Sequence, residues 1–156
     1  MPSKILIVED HRDSCLWISA VLRQRGYQTA EAEDGTVAMR MLRSENPDLI
    51  LLDMHLPAGG GEFVLENMKR QECFQHIPVI IMSGEVGLDR DHLRELGAVD
   101  VLQKPVDVHA FLQLIRNTLT PGMETTAQIG VAPSGVTTAQ IPAATSPGQV
   151  PELATM

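Results

Sequence analysis

The chain has 156 residues, of which 44% are hydrophobic and 21% are charged, a composition typical of a globular protein with one sizeable core. Its net charge of −8 argues against a large nucleic-acid surface, which needs clustered Lys and Arg. No apolar run approaches the ~20 residues of a membrane span. The two cysteines, Cys15 and Cys73, form no metal-binding or disulfide pattern. We therefore expect a cytoplasmic protein that neither enters a membrane nor binds DNA directly.

Apolar runs and segments of helical periodicity alternate along the first 120 residues. The predicted strands cover residues 4–8, 28–32, 48–52, 78–82 and 100–102, and the second of these is the weakest. The predicted helices cover residues 13–25, 36–43, 62–70, 88–96 and 106–119. Asp34 or Gly35 begins the second helix, and Asp107 is the expected N-cap of the last.

Most of the predicted strands are apolar throughout rather than alternating between apolar and polar residues. This pattern is typical of a parallel sheet that is covered on both faces. Five strand–helix units of this length fit a doubly wound α/β fold with right-handed crossovers.

Composition changes near Thr120. Residues 121–156 carry two acids, no Lys or Arg, and five of the ten prolines. Such a Thr/Ala/Pro/Gly-rich segment cannot bury enough apolar surface to offset the entropy lost on ordering. We therefore predict a folded domain over residues 1–120 and a disordered tail over residues 121–156.

Polar side chains follow four of the predicted strands. Glu9 and Asp10 come after the first strand, and Asp53 comes after the third. Ser83 follows the fourth strand and Lys104 the fifth. Because the carboxyl ends of parallel strands meet at one edge of the sheet, we expect these five side chains to share one small site.

This set of side chains predicts phosphoryl chemistry. Three adjacent carboxylates repel one another unless a cation lies among them, and hard oxygen ligands suit Mg²⁺. A hydroxyl and an ammonium beside the metal make a site for a small oxyanion. Asp53 is the central acid and the candidate nucleophile for an aspartyl-phosphate. Taken alone, Glu9 and Asp10 fit a solvated turn equally well.

Four motifs occur together and in order: "ILIVED", "DLILLDMHLP" with Gly61 eight residues after Asp53, "IPVIIMSG" and "GAVDVLQKP". With them, residues 3–119 resemble the receiver domain of two-component response regulators. The resemblance implies a flavodoxin-like (βα)5 fold, with a five-stranded parallel sheet in the order 2-1-3-4-5.

The resemblance also implies a Mg²⁺ site. Asp10 and Asp53 would bind the ion directly, Glu9 would act through water, and His55 would contribute its backbone carbonyl. The imidazole of His55 is a poor candidate for a ligand, because hard oxygen sites rarely recruit a lone histidine.

In receiver domains, the residue matching Asp53 accepts a phosphoryl group from a histidine kinase or a phosphotransfer protein. Ser83 and Lys104 would contact that group. No helix-turn-helix pattern or basic cluster follows Leu119, so the expected output is altered binding of a downstream protein or onward phosphorelay. The downstream partner and the oligomeric state stay open, with a homodimer as one alternative.

Three departures from the family pattern bear on the output. Val101 stands where many receivers carry Tyr or Phe, Ser83 and Lys104 are 21 residues apart rather than 22, and "AGGG" replaces the usual loop after Asp53. Two other functions are compatible with parts of this pattern. One is a degenerate receiver that acts as a protein-interaction scaffold. The other is an aspartate-dependent phosphatase of the haloacid-dehalogenase kind, which needs a second Asp where this chain has His55.

Overall fold

A computed structural model describes residues 1–121, in which strands and helices alternate. The strands are β1 (Lys4–Val8), β2 (Gln28–Ala32), β3 (Leu49–Asp53), β4 (Val79–Ser83) and β5 (Ala98–Gln103). The helices are α1 (Arg12–Gln24), α2 (Gly35–Glu45), α3 (Gly60–Lys69), α4 (Arg90–Glu95) and α5 (Val108–Leu119), with a 3₁₀ helix at Glu72–Phe74. Residues Met1–Leu112 form one compact unit, and residues 113–119 are helical.

All five strands lie in one parallel sheet with the order β2-β1-β3-β4-β5. The central strand β3 pairs with β1 and β4 in a register that places Leu51 beside Ile7 and Ile80. Strands β2 and β5 form the two edges. The predicted doubly wound, flavodoxin-like α/β fold with strand order 2-1-3-4-5 is confirmed.

The three central strands are buried on both faces, as their unbroken apolar sequences predict. Every residue of β3 and β4 is buried. Alternate residues of β1, β3 and β4, such as Leu6, Ile50 and Ile81, belong to a core cluster that includes side chains of α2 and α3. The residues between them point to the opposite face and are also buried. The edge strand β2 is half-exposed, which explains its weaker apolar signal.

Aspartates begin three of the helices by accepting a backbone N–H that has no partner within the helix. Asp34 Oδ1 accepts from Val37 N at 2.8 Å, and Asp107 Oδ1 accepts from Ala110 N at 2.8 Å. Asp89 caps α4 through the N–H of His92 at 3.0 Å. The predicted N-cap at Asp107 is confirmed, and Asp34 rather than Gly35 caps α2.

The structure differs from the sequence prediction at β5, α4 and the 3₁₀ helix. Strand β5 begins at Ala98, because this residue pairs with Val79 ahead of a register shift between Val79 and Ile80. Helix α4 is only six residues long, and Leu93 is its single buried residue. The helix Glu72–Phe74 was not predicted, because three residues are too few to show periodicity.

The predicted tail, apart from Pro121, lies outside the described residues. The tail and the domain boundary at residue 120 therefore stay predictions. Within residues 1–121, no helix is both long enough and apolar enough to cross a membrane.

Helix α3 begins against the end of β3, and the contact requires a glycine at position 61. A Cβ on Gly61 would lie 2.9 Å from the Asp53 carbonyl oxygen and 3.0 Å from Met54 Cα. These are backbone atoms, so they cannot move aside without shifting the strand end. The N–H of Gly61 donates to the Met54 carbonyl at 3.0 Å, which holds the helix in this close approach.

We predict that Gly61→Ala lowers the free energy of unfolding by about 1–2 kcal/mol, because overpacking outweighs the better helix propensity of Ala. Gly84→Ala is the matched control, since its new Cβ would meet only Lys104 Cβ at 4.0 Å. Urea unfolding of both variants measures the difference. A Gly61→Ala variant as stable as the parent would show that the strand end yields without cost.

Candidate functional site

The carboxyl ends of the four strands β1, β3, β4 and β5 bring the predicted side chains to one edge of the sheet. Asp53 and Ser83 are the last residues of the neighbouring strands β3 and β4. Glu9 and Asp10 follow β1, the other neighbour of β3. Lys104 directly follows β5, and its N–H donates to the Ser83 carbonyl at 2.8 Å.

Three carboxylates form the centre of this site. Glu9, Asp10 and Asp53 each offer an oxygen, and these oxygens lie within 4.8 Å of one another. Glu9 and Asp53 are buried, with 3% and 5% of their surface exposed, whereas Asp10 faces solvent. Carboxylates this close repel one another, and the burial of Glu9 and Asp53 leaves that repulsion poorly screened by water. The cluster therefore favours a cation, and its all-oxygen donor set suits Mg²⁺.

Lys104 places a positive charge beside two of these acids. Its Nζ lies 2.8 Å from Glu9 Oε2 and 3.4 Å from Asp53 Oδ2. Burial lowers the pKa of Lys104, but the hydrogen bond to Glu9 and the charges of Asp53 and Glu9 outweigh it, so the pKa lies above its usual value. The ammonium form therefore persists across neutral pH.

The backbone orients both buried carboxylates in the same way. The N–H of His11 donates to Glu9 Oε1, and the N–H of His55 donates to Asp53 Oδ1, each at 3.1 Å. In each case the donor lies two residues after the acid, which is the geometry of an Asx-type turn. One oxygen of each acid is thus held by the backbone, and the other faces Lys104.

The Ser83 hydroxyl is buried, with 1% of the residue exposed. Its Oγ accepts a hydrogen bond from the backbone N–H of Glu85 at 3.0 Å. The hydroxyl is therefore engaged by the loop between β4 and α4, and any turn of Ser83 towards Asp53 has to break this bond.

Glu85 was not singled out from the sequence, yet it contacts three other residues at this edge. Besides its bond to Ser83, its carbonyl accepts from Gln103 Nε2 at 3.4 Å. Its carboxylate lies 3.1 Å from His55 Nε2. The two side chains of that pair are half-exposed or more, so the His55 imidazole lies at the mouth of the site. Nothing in the local sequence distinguishes Glu85 from an ordinary loop acid.

Val101 lies in β5 and is buried, with 6% of its surface exposed. A short β-branched side chain has few rotamers available at this position. No aromatic side chain is therefore available here to swing between an outward and an inward position.

Solved structures of receiver domains resemble this fold. The receiver domain of the sensor histidine kinase PA1611 from Pseudomonas aeruginosa, solved with a magnesium ion coordinated in its active-site cleft, is 31% identical. It matches 76% of this chain and 98% of that chain, with a TM-score of 0.68. The BeF3-activated receiver domain of RstA from Klebsiella pneumoniae is 25% identical, with a TM-score of 0.70 over 75% of this chain and 98% of that one.

Curated relatives give the same picture. Sporulation initiation phosphotransferase F of Bacillus subtilis is 36% identical over 76% of this chain and 95% of its own length. The phosphate regulon regulatory protein PhoB of Escherichia coli is 39% identical over 67% of this chain. The match covers 46% of PhoB, so the chain spans less than half of that relative.

The family model for the response regulator receiver domain matches residues 5–116, which include every side chain of the site described above. The resemblance inferred from the four sequence motifs is thereby confirmed, and the chain belongs to the response regulator receiver family.

Proposed function

We propose that the protein is a Mg²⁺-dependent phosphoacceptor, in which Asp53 receives a phosphoryl group from a histidine kinase or a phosphotransfer protein. The observation that carries this proposal is the cluster of Glu9, Asp10 and Asp53 oxygens within 4.8 Å, with Lys104 bonded to two of the three acids. A structural role alone does not need three acids at the end of a buried sheet.

The donor set fits a magnesium ion. Asp10 and Asp53 are the direct ligands in this proposal, Glu9 acts through water, and His55 adds its backbone carbonyl. When bound, Mg²⁺ supplies positive charge to the oxygens of the transferring phosphoryl group. The His55 imidazole has another partner, since it pairs with Glu85.

The phosphoryl transfer needs no reactant other than the phosphohistidine donor and Asp53. A carboxylate oxygen of Asp53 bonds to phosphorus as the phosphorus–nitrogen bond of a phosphohistidine breaks, and the histidine nitrogen keeps the electron pair. Lys104 stabilises the charge on the phosphoryl oxygens, having already been held beside Asp53 by Glu9. Ser83 donates its hydroxyl to the same oxygens after leaving Glu85.

The relatives support this role. One of them is named as a phosphotransferase, and this chain matches 95% of its length. Another receiver holds magnesium in its active-site cleft. The signal would leave the site as a change in the affinity for a downstream protein, or as transfer of the phosphoryl group to a further carrier.

The alternatives fit less well. A degenerate scaffold has no need of the complete set of three acids, a hydroxyl and an ammonium that this chain retains. An aspartate-dependent phosphatase needs an acid two residues after the nucleophile, where His55 stands.

We predict that incubation with acetyl phosphate and Mg²⁺ adds the mass of one phosphoryl group to the protein, and that Asp53→Asn abolishes this addition. Asp91→Asn, a variant of an exposed residue on α4, is the control and should be modified like the parent. Intact-mass spectrometry measures the adduct. An undiminished adduct in Asp53→Asn would sink the assignment.

Asp10→Ala should weaken Mg²⁺ binding at least about tenfold while leaving the fold as stable as the parent or more so. The reason is that Asp10 lends charge to the metal site and repels the two neighbouring acids when no metal is bound. Asp13→Ala, a variant with the same net charge on the exposed face of α1, controls for bulk electrostatics. The shift of the melting temperature with MgCl₂ concentration gives both quantities, and equal affinities in the two variants would contradict the prediction.

Lys104→Met should lower the free energy of unfolding by about 3 kcal/mol in EDTA, because it leaves the Glu9 carboxylate buried without a counter-charge. Lys4→Met is the matched control: Lys4 is equally exposed, at 29% of its side chain, but its partner Glu45 is 35% exposed. That control should lose less than about 1 kcal/mol.

The same pair of variants tests the pH dependence. Because the folded-state pKa of Lys104 is raised, its contribution to stability is present at neutral pH and is lost only as pH rises through that pKa at the alkaline end. In urea unfolding, the difference in the free energy of unfolding between the parent and Lys104→Met should therefore decrease from neutral to alkaline pH. Equal losses in the two variants at neutral pH would show that Lys104 does not stabilise the buried acids.

A further inference from the structure

Strand β5 is an edge of the sheet, and the backbone of Val101 at its centre faces away from β4. This orientation follows from the hydrogen bond that the Lys104 N–H donates to the Ser83 carbonyl on β4. Alternate residues of a parallel strand direct their backbone groups to the same side, so Leu102 faces β4 and Val101 faces outward. Outward N–H and C=O groups on an edge strand are a template for another strand.

Two side chains form hydrogen bonds with the outward-facing N–H and C=O groups of Val101. Asp100 Oδ1 accepts from the Val101 N–H at 2.7 Å, and Arg90 Nη1 donates to the Val101 carbonyl at 3.1 Å. Arg90 Nη1 also lies 3.9 Å from Asp100 Oδ1. We call Arg90 and Asp100 the edge clip. Asp100 belongs to β5 itself, whereas Arg90 reaches the strand from the first turn of α4.

The strand that the clip covers has the composition of a segment that pairs readily. Its sequence, "AVDVLQ", contains two valines, one leucine and no proline, and Asp100 is its only charged residue. Short segments of high β-propensity and low charge are hazardous at an exposed edge. The carboxylate of Asp100 accepts a hydrogen bond from the backbone N–H of Val101, which is the N–H that an incoming strand would need.

A second copy of this chain could present its own β5 to the uncovered edge. In an antiparallel pair related by a two-fold axis, Val101 of one copy would lie opposite Val101 of the other, and the two would exchange both backbone hydrogen bonds. The same register sets Val99 opposite Gln103 and Asp100 opposite Leu102, so no like charges face each other. Val99 is 47% exposed and leaves room for such a neighbour.

We propose that the edge clip prevents a second copy of this chain from adding to β5 in an antiparallel register centred on Val101. Asp100 removes the donor that the second copy requires, and Arg90 removes the acceptor. This role does not depend on phosphorylation, since the residues involved lie outside the cluster of acids and Lys104.

The test compares two double variants of the full chain, without Mg²⁺ or a phosphodonor. Arg90→Ala/Asp100→Ala removes the clip. Asp91→Ala/Arg94→Ala removes the neighbouring ion pair of α4, at 3.8 Å, with the same change in charge. Sedimentation velocity over a wide range of concentration should show self-association of the clip variant at least about tenfold stronger than that of the parent. The control should match the parent.

Hydrogen exchange at high protein concentration locates the contact, and the backbone amides of Val99, Val101 and Gln103 should gain protection in the clip variant. Circular dichroism establishes that the variant is folded. If the double variant is unfolded, the single variant Arg90→Ala takes its place in the sedimentation experiment. Arg90→Ala frees only the Val101 carbonyl and should strengthen self-association severalfold. Association equal to that of the parent in a folded clip variant, or new protection away from residues 98–103, would overturn the proposal.

Discussion

The charge balance at the carboxyl edge of the sheet is the constraint on which the site depends. Two acids, Glu9 and Asp53, are buried there, and a buried carboxylate is costly unless it is paired and hydrogen-bonded. One ammonium, that of Lys104, serves both. One cation shared between two buried acids, with a third acid at 4.8 Å or less, leaves the site short of positive charge. That shortage is the physical basis for the proposed binding of a divalent ion.

The parallel sheet allows the fold to bury these two acids without losing its apolar core. Strands β1, β3 and β4, which are buried on both faces, contribute apolar side chains to both layers of the core, and the polar groups of the site lie at the strand ends. Backbone N–H groups of His11 and His55 donate a hydrogen bond to one oxygen of each buried acid, so no further side chain is needed to orient that oxygen. The close approach of Gly61 to the end of β3 fixes the loop that carries His55, so the fold itself sets the orientation of Asp53.

Much of this was predictable from the sequence, for a physical reason. Unbroken apolar strands and the polar residue after each of them are local signals, and the topology of a parallel sheet brings distant strand ends together. The contacts of Glu85 with Ser83, Gln103 and His55 were not predictable, because they depend on the path of a loop. The edge clip was not predictable for a similar reason, because the sequence Asp100-Val101 does not indicate which backbone group the Asp100 carboxylate will bind.

Helix α4 is the least anchored element of the fold around this site. Leu93 is its only buried residue, and the flanking Leu88 and Leu96 pack against the core while partly exposed. Its remaining attachments are polar: Lys69 Nζ bonds to the Glu95 carbonyl, His92 lies 3.4 Å from Glu62, and Arg90 reaches β5. Burying one leucine contributes only about 1.5–3 kcal/mol, so α4 can open locally far below the free energy of global unfolding. Each such opening withdraws Arg90 and bares the Val101 carbonyl. Opening of α4 would therefore expose only the acceptor half of this sheet edge, because Asp100 on β5 still holds the Val101 N–H. The loop from Ser83 leads directly into this helix.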